Sequence, residues 1–326
     1  MRELIEVLAD TDAEACRSSP AEMRSAVRDV TSAGARIWTG PWESVLDALQ
    51  RVAAVDLCLA RLVEGHADAQ RILDQADVTP CPGVYGVWAS RSAGTGLKAA
   101  PRDAGWALSG RLRFASGIDL IDRALAPGWL DDGDHLLFDV AADEVDADRS
   151  SWTTSAMDAS QSFTVDVEQQ VTRPPVGERN FYLTRPGFVV GGLGPAAVWT
   201  GGARGICELV AAGLRRFQAT PHQLRRLGLM EQAVWTAELA LGQAPATVAR
   251  GGEASRMASR VRTAVVLAAD VVLAEAPVIV GPAGLSTQPR LARALADLGI
   301  YVRQHHLDLE LADLGAAVVS GGRTTR

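Results

Sequence analysis

The 326-residue chain has one lysine, Lys98, and one asparagine, Asn180. A single lysine leaves Schiff-base or P-loop chemistry one candidate. Its context, Gly94-Thr95-Gly96-Leu97-Lys98, is not GxxxxGK[ST]. Cysteine is scarce too: Cys16, Cys58, Cys81 and Cys207 are widely spaced, with no CxxC. That argues against a zinc ribbon or a disulfide framework, and it suits buried thiols in a reducing cytosol. The five histidines form no HExxH or HxxxH, and no GxSxG elbow is present, so neither a metal site nor a Ser-His-Asp triad is expected. There is no basic block, and 32 basic against 39 acidic residues give a net charge of -7. Nucleic acid and membrane are therefore poor partners. The opening Met1-Arg2-Glu3-Leu4-Ile5-Glu6 carries acids where a signal peptide needs an apolar core. The most apolar stretch, residues 265–280, is broken by Asp270, Glu275 and Pro277, and reads as too short and too charged to span a bilayer. A cytoplasmic protein is expected.

Apolar residues make up 48% of the chain and charged residues 22%, the composition of a folded globular protein. Residues 1–80 read as a helical domain. Across 43–76 apolar side chains recur at helical steps (Val45, Leu46, Leu49, Val52, Val55, Leu59, Leu62), and Ser19-Pro20-Ala21-Glu22 is a helix start. The texture changes at Thr79-Pro80-Cys81-Pro82-Gly83. Strands are expected at Val84-Tyr85-Gly86-Val87-Trp88, 123–126, 135–140 and 163–167. A hairpin is expected to turn at Ser109-Gly110, and residues 81–175 then form a middle β sheet or barrel. Residues 176–326 read as a four-helix bundle with helices over 196–217, 222–241, 253–276 and 289–319, broken at 242–252 and 277–289. The class is α+β. A face carrying Val261, Val265 and Val272 suggests a homodimer or homotetramer.

Gly192-Leu193-Gly194-Pro195-Ala196-Ala197 matches GxGxxA, but helices rather than a βαβ unit follow, so it reads as a glycine turn entering a helix. His305-His306, read as adjacent on a helix, would point about 100° apart and could not share a metal. The eight tryptophans read mostly as packing, with those of the middle domain able to wall an aromatic ring.

Gly86-Val87-Trp88-Ala89-Ser90-Arg91-Ser92-Ala93-Gly94-Thr95-Gly96 and Trp106-Ala107-Leu108-Ser109-Gly110-Arg111-Leu112-Arg113-Phe114-Ala115-Ser116-Gly117 stand in order with Gly281-Pro282-Ala283-Gly284-Leu285 and Ala296-Asp297-Leu298-Gly299-Ile300-Tyr301. Their spacing, in an α-β-α frame, resembles the acyl-CoA dehydrogenases. The resemblance implies bound FAD, held by Trp88, Ala89, Gly94, Thr95, Phe114, Ser116, Gly281 and Gly284. Phe114 takes the place of a ring-stacking Trp, and Ser116 that of a Thr at the flavin N5 edge. It also implies departures. The family's catalytic Glu falls on His305 or Pro195, and the arginine motif at its dimer contact falls on Pro221-His222-Gln223-Leu224-Arg225. The implied activity is an FAD-dependent oxidoreductase acting on an acyl thioester, such as a CoA thioester, or a similar small molecule, with His305 as catalytic group. The alternatives are a flavin-dependent monooxygenase of the same fold and a non-catalytic relative. The flavin ring is then expected between Phe114-Ala115-Ser116 and the segment near His305.

Overall fold

The computed structural model describes residues 1–216, 218–249 and 254–320. The chain forms two compact units. One comprises Met1–Ala48 and Cys58–Phe188, the other Leu49–Leu57 and Val189–Arg326. The segments 1–80 and 81–175 thus lie largely in one unit.

The first unit opens with short helices whose ends are set by their capping residues. Asp12 accepts hydrogen bonds from the backbone N–H groups of Glu14 and Ala15 at the start of Ala13–Ser18. Ser19 accepts from Glu22 ahead of Pro20–Ala33, the start read from the sequence. The apolar run over 43–76 is not one helix. Trp42–Val55 ends at Asp56 and Leu57–Gln75 begins afresh. The period continues across the break, which hides it from a pattern reading.

Seven strands follow: β1 (Tyr85–Val87), β2 (Gly96–Arg102), β3 (Gly105–Ala115), β4 (Arg123–Trp129), β5 (His135–Ala141), β6 (Asp146–Asp148) and β7 (Phe163–Val171). The order is β1-β4-β2-β3-β7-β6, with β5 also on β4. β1 and β2 run parallel to β4, and the other pairings are antiparallel. The expected turn at Ser109-Gly110 is not there. β3 is a single strand, and the hairpin instead turns between Arg102 and Gly105. Gly110, with φ +143°, is in the sheet because a Cβ there would meet the Gly96 carbonyl oxygen at 2.4 Å. Helix Leu57–Gln75 lays Ala69, Ile72 and Leu73 on Tyr85, Leu125 and Leu137, one hydrophobic cluster of the unit.

The second unit holds helices Gly194–Leu214, Pro221–Ala249, Ala254–Thr287, Pro289–Tyr301 and Leu307–Val319. Gly194 and Pro195 do open a helix, and the element immediately before them is the short helix Phe188–Gly191 rather than a strand. Gly201 and Gly205 let that helix touch backbone: a Cβ would stand 2.1 Å from the Gln50 oxygen and 2.7 Å from that of Ala54. Several bundle boundaries differ from expectation. Pro245 and Pro277 lie inside helices. The expected break at 242–252 is helical as far as Ala249, and residues 250–253 lie outside the described residues. The expected break at 277–289 narrows to a kink at Gly281, with φ 62° and ψ -176°, and the single non-helical residue Gln288 ahead of Pro289. The last helix is split by a 3-10 turn, Val302–Gln304, and by His305 and His306.

Helix Ala254–Thr287 is, among the described residues, long and apolar enough to cross a membrane by length and composition. This corrects the reading of that stretch as too short. Val261, Val265 and Val272 are fully buried as the helix packs on Gly194–Leu214 and Pro221–Ala249. They are therefore core and not the expected oligomer face. Exposed apolar side chains of the unit include Trp235, Leu239, Leu224, Leu267 and Val278, and on the last helix Leu309, Leu311, Val318 and Val319.

Candidate functional site

In the first unit the site residues gather where β3 ends. The register of β3 on β7 slips between Leu112 and Ala115, a bulge. Inside it Phe114 adopts φ +61°, a left-handed conformation that is costly for a bulky side chain. The residue is 43% exposed, meets Trp152 edge-on with centroids 6.3 Å apart, and has the Arg113 guanidinium over its ring at 5.1 Å. An exposed aromatic on a strained backbone suits a surface contact better than a core.

Ser116 follows, buried. Its hydroxyl accepts a hydrogen bond from Ser162 at 2.8 Å, and Ser162 in turn shares one with Ser160. Ser160 donates to the Met157 carbonyl. Ser162 has one proton for its two hydroxyl contacts, to Ser160 and to Ser116, so the relay is complete only when one of the three serines shares. Trp88 is buried and its indole N–H donates to the Ser116 carbonyl at 3.0 Å, so it positions Ser116 from behind. Ala89 is half-buried next to it. The Thr95 hydroxyl donates to the Ser92 carbonyl at 2.8 Å, which commits its proton within the loop. Gly94 has φ +78° and nothing within 4 Å of where a Cβ would be, so its backbone stands open.

A small recess beside Ser116, lined by Arg61, Leu62, Gly65, Gly86, Val87 and Ile121 as well, has room for about one water. Arg61 pairs with Glu64 one turn on, Nη1 to Oε2 at 2.6 Å, with both side chains largely buried. Burial pushes the Glu64 carboxyl up to about 7, against the opposing pull of Arg61. His66, on the same helix, accepts the Tyr85 N–H at Nδ1, and burial lowers it to about 4. Arg61 and Glu64 were not read from the sequence. The available signal was two opposite charges three residues apart within an apolar stripe (Leu59, Leu62, Val63).

In the second unit His305 is buried, but it is not helical: its φ and ψ are -86° and 123°. His306 is the exposed residue before Leu307–Val319. The expectation that the two share a helix 100° apart therefore fails, because the chain turns between them. His305 Nε2 is 3.1 Å from the Thr263 hydroxyl. Its Nδ1 is buried with no hydrogen-bond partner, and the ring lies 6.3 Å from that of Trp199. Burial first, then the Arg262 charge, hold the imidazole below its ordinary range and so neutral at pH 7. Gly281 is open on all sides, whereas Gly284 is packed, its would-be Cβ 2.6 Å from that of Val280.

The first unit thus presents an exposed aromatic side chain beside a buried serine network, and the second unit a buried imidazole with one unpaired nitrogen. No family model matches the chain, and no curated protein matches it in sequence. Solved structures do match in shape. FMN- and indole-bound TdsC from Paenibacillus sp. A11-2, a dibenzothiophene monooxygenase, superposes with a TM-score of 0.82 at 15% identity, over 100% of this chain and 99% of that one. Methanesulfinate monooxygenase MsuC from Pseudomonas fluorescens gives 0.78 at 16% identity, covering 99% and 97%. XiaF from Streptomyces sp., in complex with FADH2 and glycerol, gives 0.75 at 16% identity, covering 100% and 96%. The fold is acyl-CoA dehydrogenase-like. At these identities the likeness establishes the fold and leaves the chemistry to the residues.

Proposed function

We propose that the protein is a flavin-dependent monooxygenase of this fold, acting on a small molecule with flavin reduced by a separate source. The observation that carries the reading is the match, over the whole chain, to solved structures holding FMN or FADH2, the FMN-bound one being a dibenzothiophene monooxygenase. Support from this chain is the pair of residues at the family's base positions, His305 and Pro195, neither of which is a carboxylate. A desaturase needs a base for the proton α to the thioester, and oxygen insertion does not. The dehydrogenase reading, with its CoA thioester, has correspondingly less support.

Bound and reduced, the flavin would supply the electrons for dioxygen cleavage. On the protein side, Phe114 walls the ring and Ser116 donates to its edge. Trp88 and Ser162 fix Ser116, and Gly94 allows close backbone approach. His305, neutral and carrying one protonated and one free nitrogen, moves a proton at Nδ1. FAD is the flavin in this reading. The four cysteines, all free, suit a reducing, cytoplasmic setting. Trp235, Leu239 and Leu224, apolar and in solvent, support a homodimer or homotetramer.

The test is to add FAD or FMN, record the absorbance, reduce externally, and admit labelled dioxygen with indole as probe. Flavin uptake with label entering indole supports the reading. A protein that takes up neither flavin supports the non-catalytic alternative.

A further inference from the structure

Ser259, Arg262 and Thr263 share one face of helix Ala254–Thr287 by their spacing. Ser259 donates to the Glu310 carboxylate in the first turn of Leu307–Val319, and Thr263 meets His305 Nε2 at 3.1 Å. Arg262 bonds to neither Glu310 nor His305. Its guanidinium carbon lies 6.0 Å from the centroid of the Trp199 ring, and the His305 ring lies 6.3 Å from the same indole. Among the described residues Arg262 has no hydrogen bond and no ion pair, and its Nε is buried without an acceptor. Burial works against the charge, and Glu310, the acid that eases it, is tied to Ser259.

A charge drawn out of water without a partner is unfavourable. The Trp199 ring compensates little, since 6.0 Å is the outer limit of cation–π attraction. Methionine would cover the indole without that cost. The charge therefore acts through its field, and the titrating group in that field is His305.

We propose that Arg262 is a positioning residue for His305: its unpaired charge, set against Trp199, holds the imidazole to a single proton, so that one ring nitrogen remains a proton acceptor through the neutral range. The inference rests on the monooxygenase reading for the proton that is accepted. The state of the ring itself needs no flavin.

The groups that face His305 come from four segments. Helix Ala254–Thr287 supplies Arg262 and the neutral Thr263, Leu307–Val319 supplies Glu310, Gly194–Leu214 supplies Trp199, and His306 is the next residue. Arg303, in the 3-10 turn, is exposed and paired with Asp270, and Tyr301 packs edge-on against Trp199. Arg262 and His306 oppose a second proton on the ring and Glu310 favours it, with Arg262 the strongest of the three. Loss of Arg262 thus raises the proton affinity of the ring, and loss of Glu310 lowers it.

The test is a titration of the full chain, labelled at histidine, by proton–nitrogen NMR correlation, with the His305 signal assigned from its loss in His305→Gln. Arg262→Met should raise the pH at which His305 takes its second proton by about one unit, a ten-fold gain in proton affinity. Arg262→Lys keeps the charge and should reverse most of that shift, and Glu310→Gln should move the midpoint down. Arg262→Gln serves as a second neutral variant should Arg262→Met fold poorly. With externally reduced flavin and indole, the acidic limb of turnover in the neutral variant should move up by the same amount. An unmoved His305 midpoint in the neutral variant, or a shift that Arg262→Lys leaves in place, overturns the proposal, because packing alone would not follow charge. Flavin uptake on the same samples separates the two ideas. A shifted midpoint without flavin uptake defeats the monooxygenase reading alone, and indole oxidation with an unmoved midpoint defeats the role of Arg262 alone.

Discussion

Glu64 and His66 sit two residues apart on one helix, both buried, and pull the pH dependence of stability in opposite directions. Glu64 rises from 4.5 to about 7, worth about 3 kcal/mol at 1.36 kcal/mol per pH unit. The folded carboxyl stays protonated where the unfolded one has ionised. Its contribution is therefore complete below 4.5 and is lost as pH climbs to 7. His66 falls from 6.5 to about 4, again about 3 kcal/mol. The folded imidazole stays neutral where the unfolded one charges, so its contribution is complete above 6.5 and is lost as pH drops to 4. Between 4.5 and 6.5 the two slopes cancel, and this pair leaves the wild type nearly flat. Glu64→Gln uncovers the histidine. The variant should match wild type near pH 4.5 and exceed it by up to about 3 kcal/mol at pH 7.5, close to 1 M in urea midpoint for an m-value of about 3 kcal/mol/M. Urea unfolding by circular dichroism at half-unit pH steps reads the difference, which also subtracts His135 and His305, both lowered by burial and sloping as His66 does. Parallel curves for variant and wild type would refute the reasoning.

Ser116→Ala should weaken flavin binding about five-fold, one hydrogen bond or ~1 kcal/mol, in an absorbance titration; unchanged affinity removes Ser116 from the ring edge. Phe114→Gly relieves a left-handed backbone worth ~1–3 kcal/mol and so should leave stability intact or raised while flavin affinity falls further than in Ser116→Ala. Lower stability with unchanged flavin affinity contradicts that. Arg185→Met strands buried charge on Asp68, 2.8 Å away, and should cost about 3–5 kcal/mol in thermal or urea unfolding, most of it recovered by adding Asp68→Leu. No recovery means the loss is packing alone. His305→Gln should abolish product formation while exposed His306→Gln keeps it, and equal loss in both denies His305 its role.

How much of this was legible beforehand depends on what each feature rests on. Strand β7 follows from alternation, which burial on one face imposes directly, whereas β4 and β5, buried along nearly their whole length, read as short apolar runs. Gly110 misled for a physical reason. Glycine next to serine signals a tight turn, yet here the missing Cβ serves a cross-strand approach to Gly96, which involves a residue fourteen positions away. Pro245 and Pro277 misled similarly, since a long helix packed along two neighbours tolerates the loss of single ladder bonds. Phe114 and Ser116 could be proposed from motif order alone. Arg61 and Glu64 could not, because their meaning comes from a recess whose other side is built by β1 and the end of β3.

The break at His305 carries the argument one step further. A helical His305 would have had its backbone N–H and carbonyl spent on its own ladder and its ring aimed by the helix. Instead the chain leaves the 3-10 turn at Gln304 in an extended conformation, and the His305 N–H bonds back to Val302 at 3.1 Å. The ring is then aimed by tertiary contacts: Thr263 on one nitrogen and the Trp199 face beside it. An orphaned buried Nδ1 costs of the order of 1–3 kcal/mol. A protein that bends its last helix to bury a histidine, fixes one nitrogen and leaves the other unpaired is accepting that cost at a single atom. A proton carrier needs one nitrogen held and one available, whereas a packing residue would be served as well by leucine. Thr263→Val therefore tests the aim rather than the group. It should reduce turnover while leaving flavin uptake unchanged, and unaltered turnover would return His305 to the core.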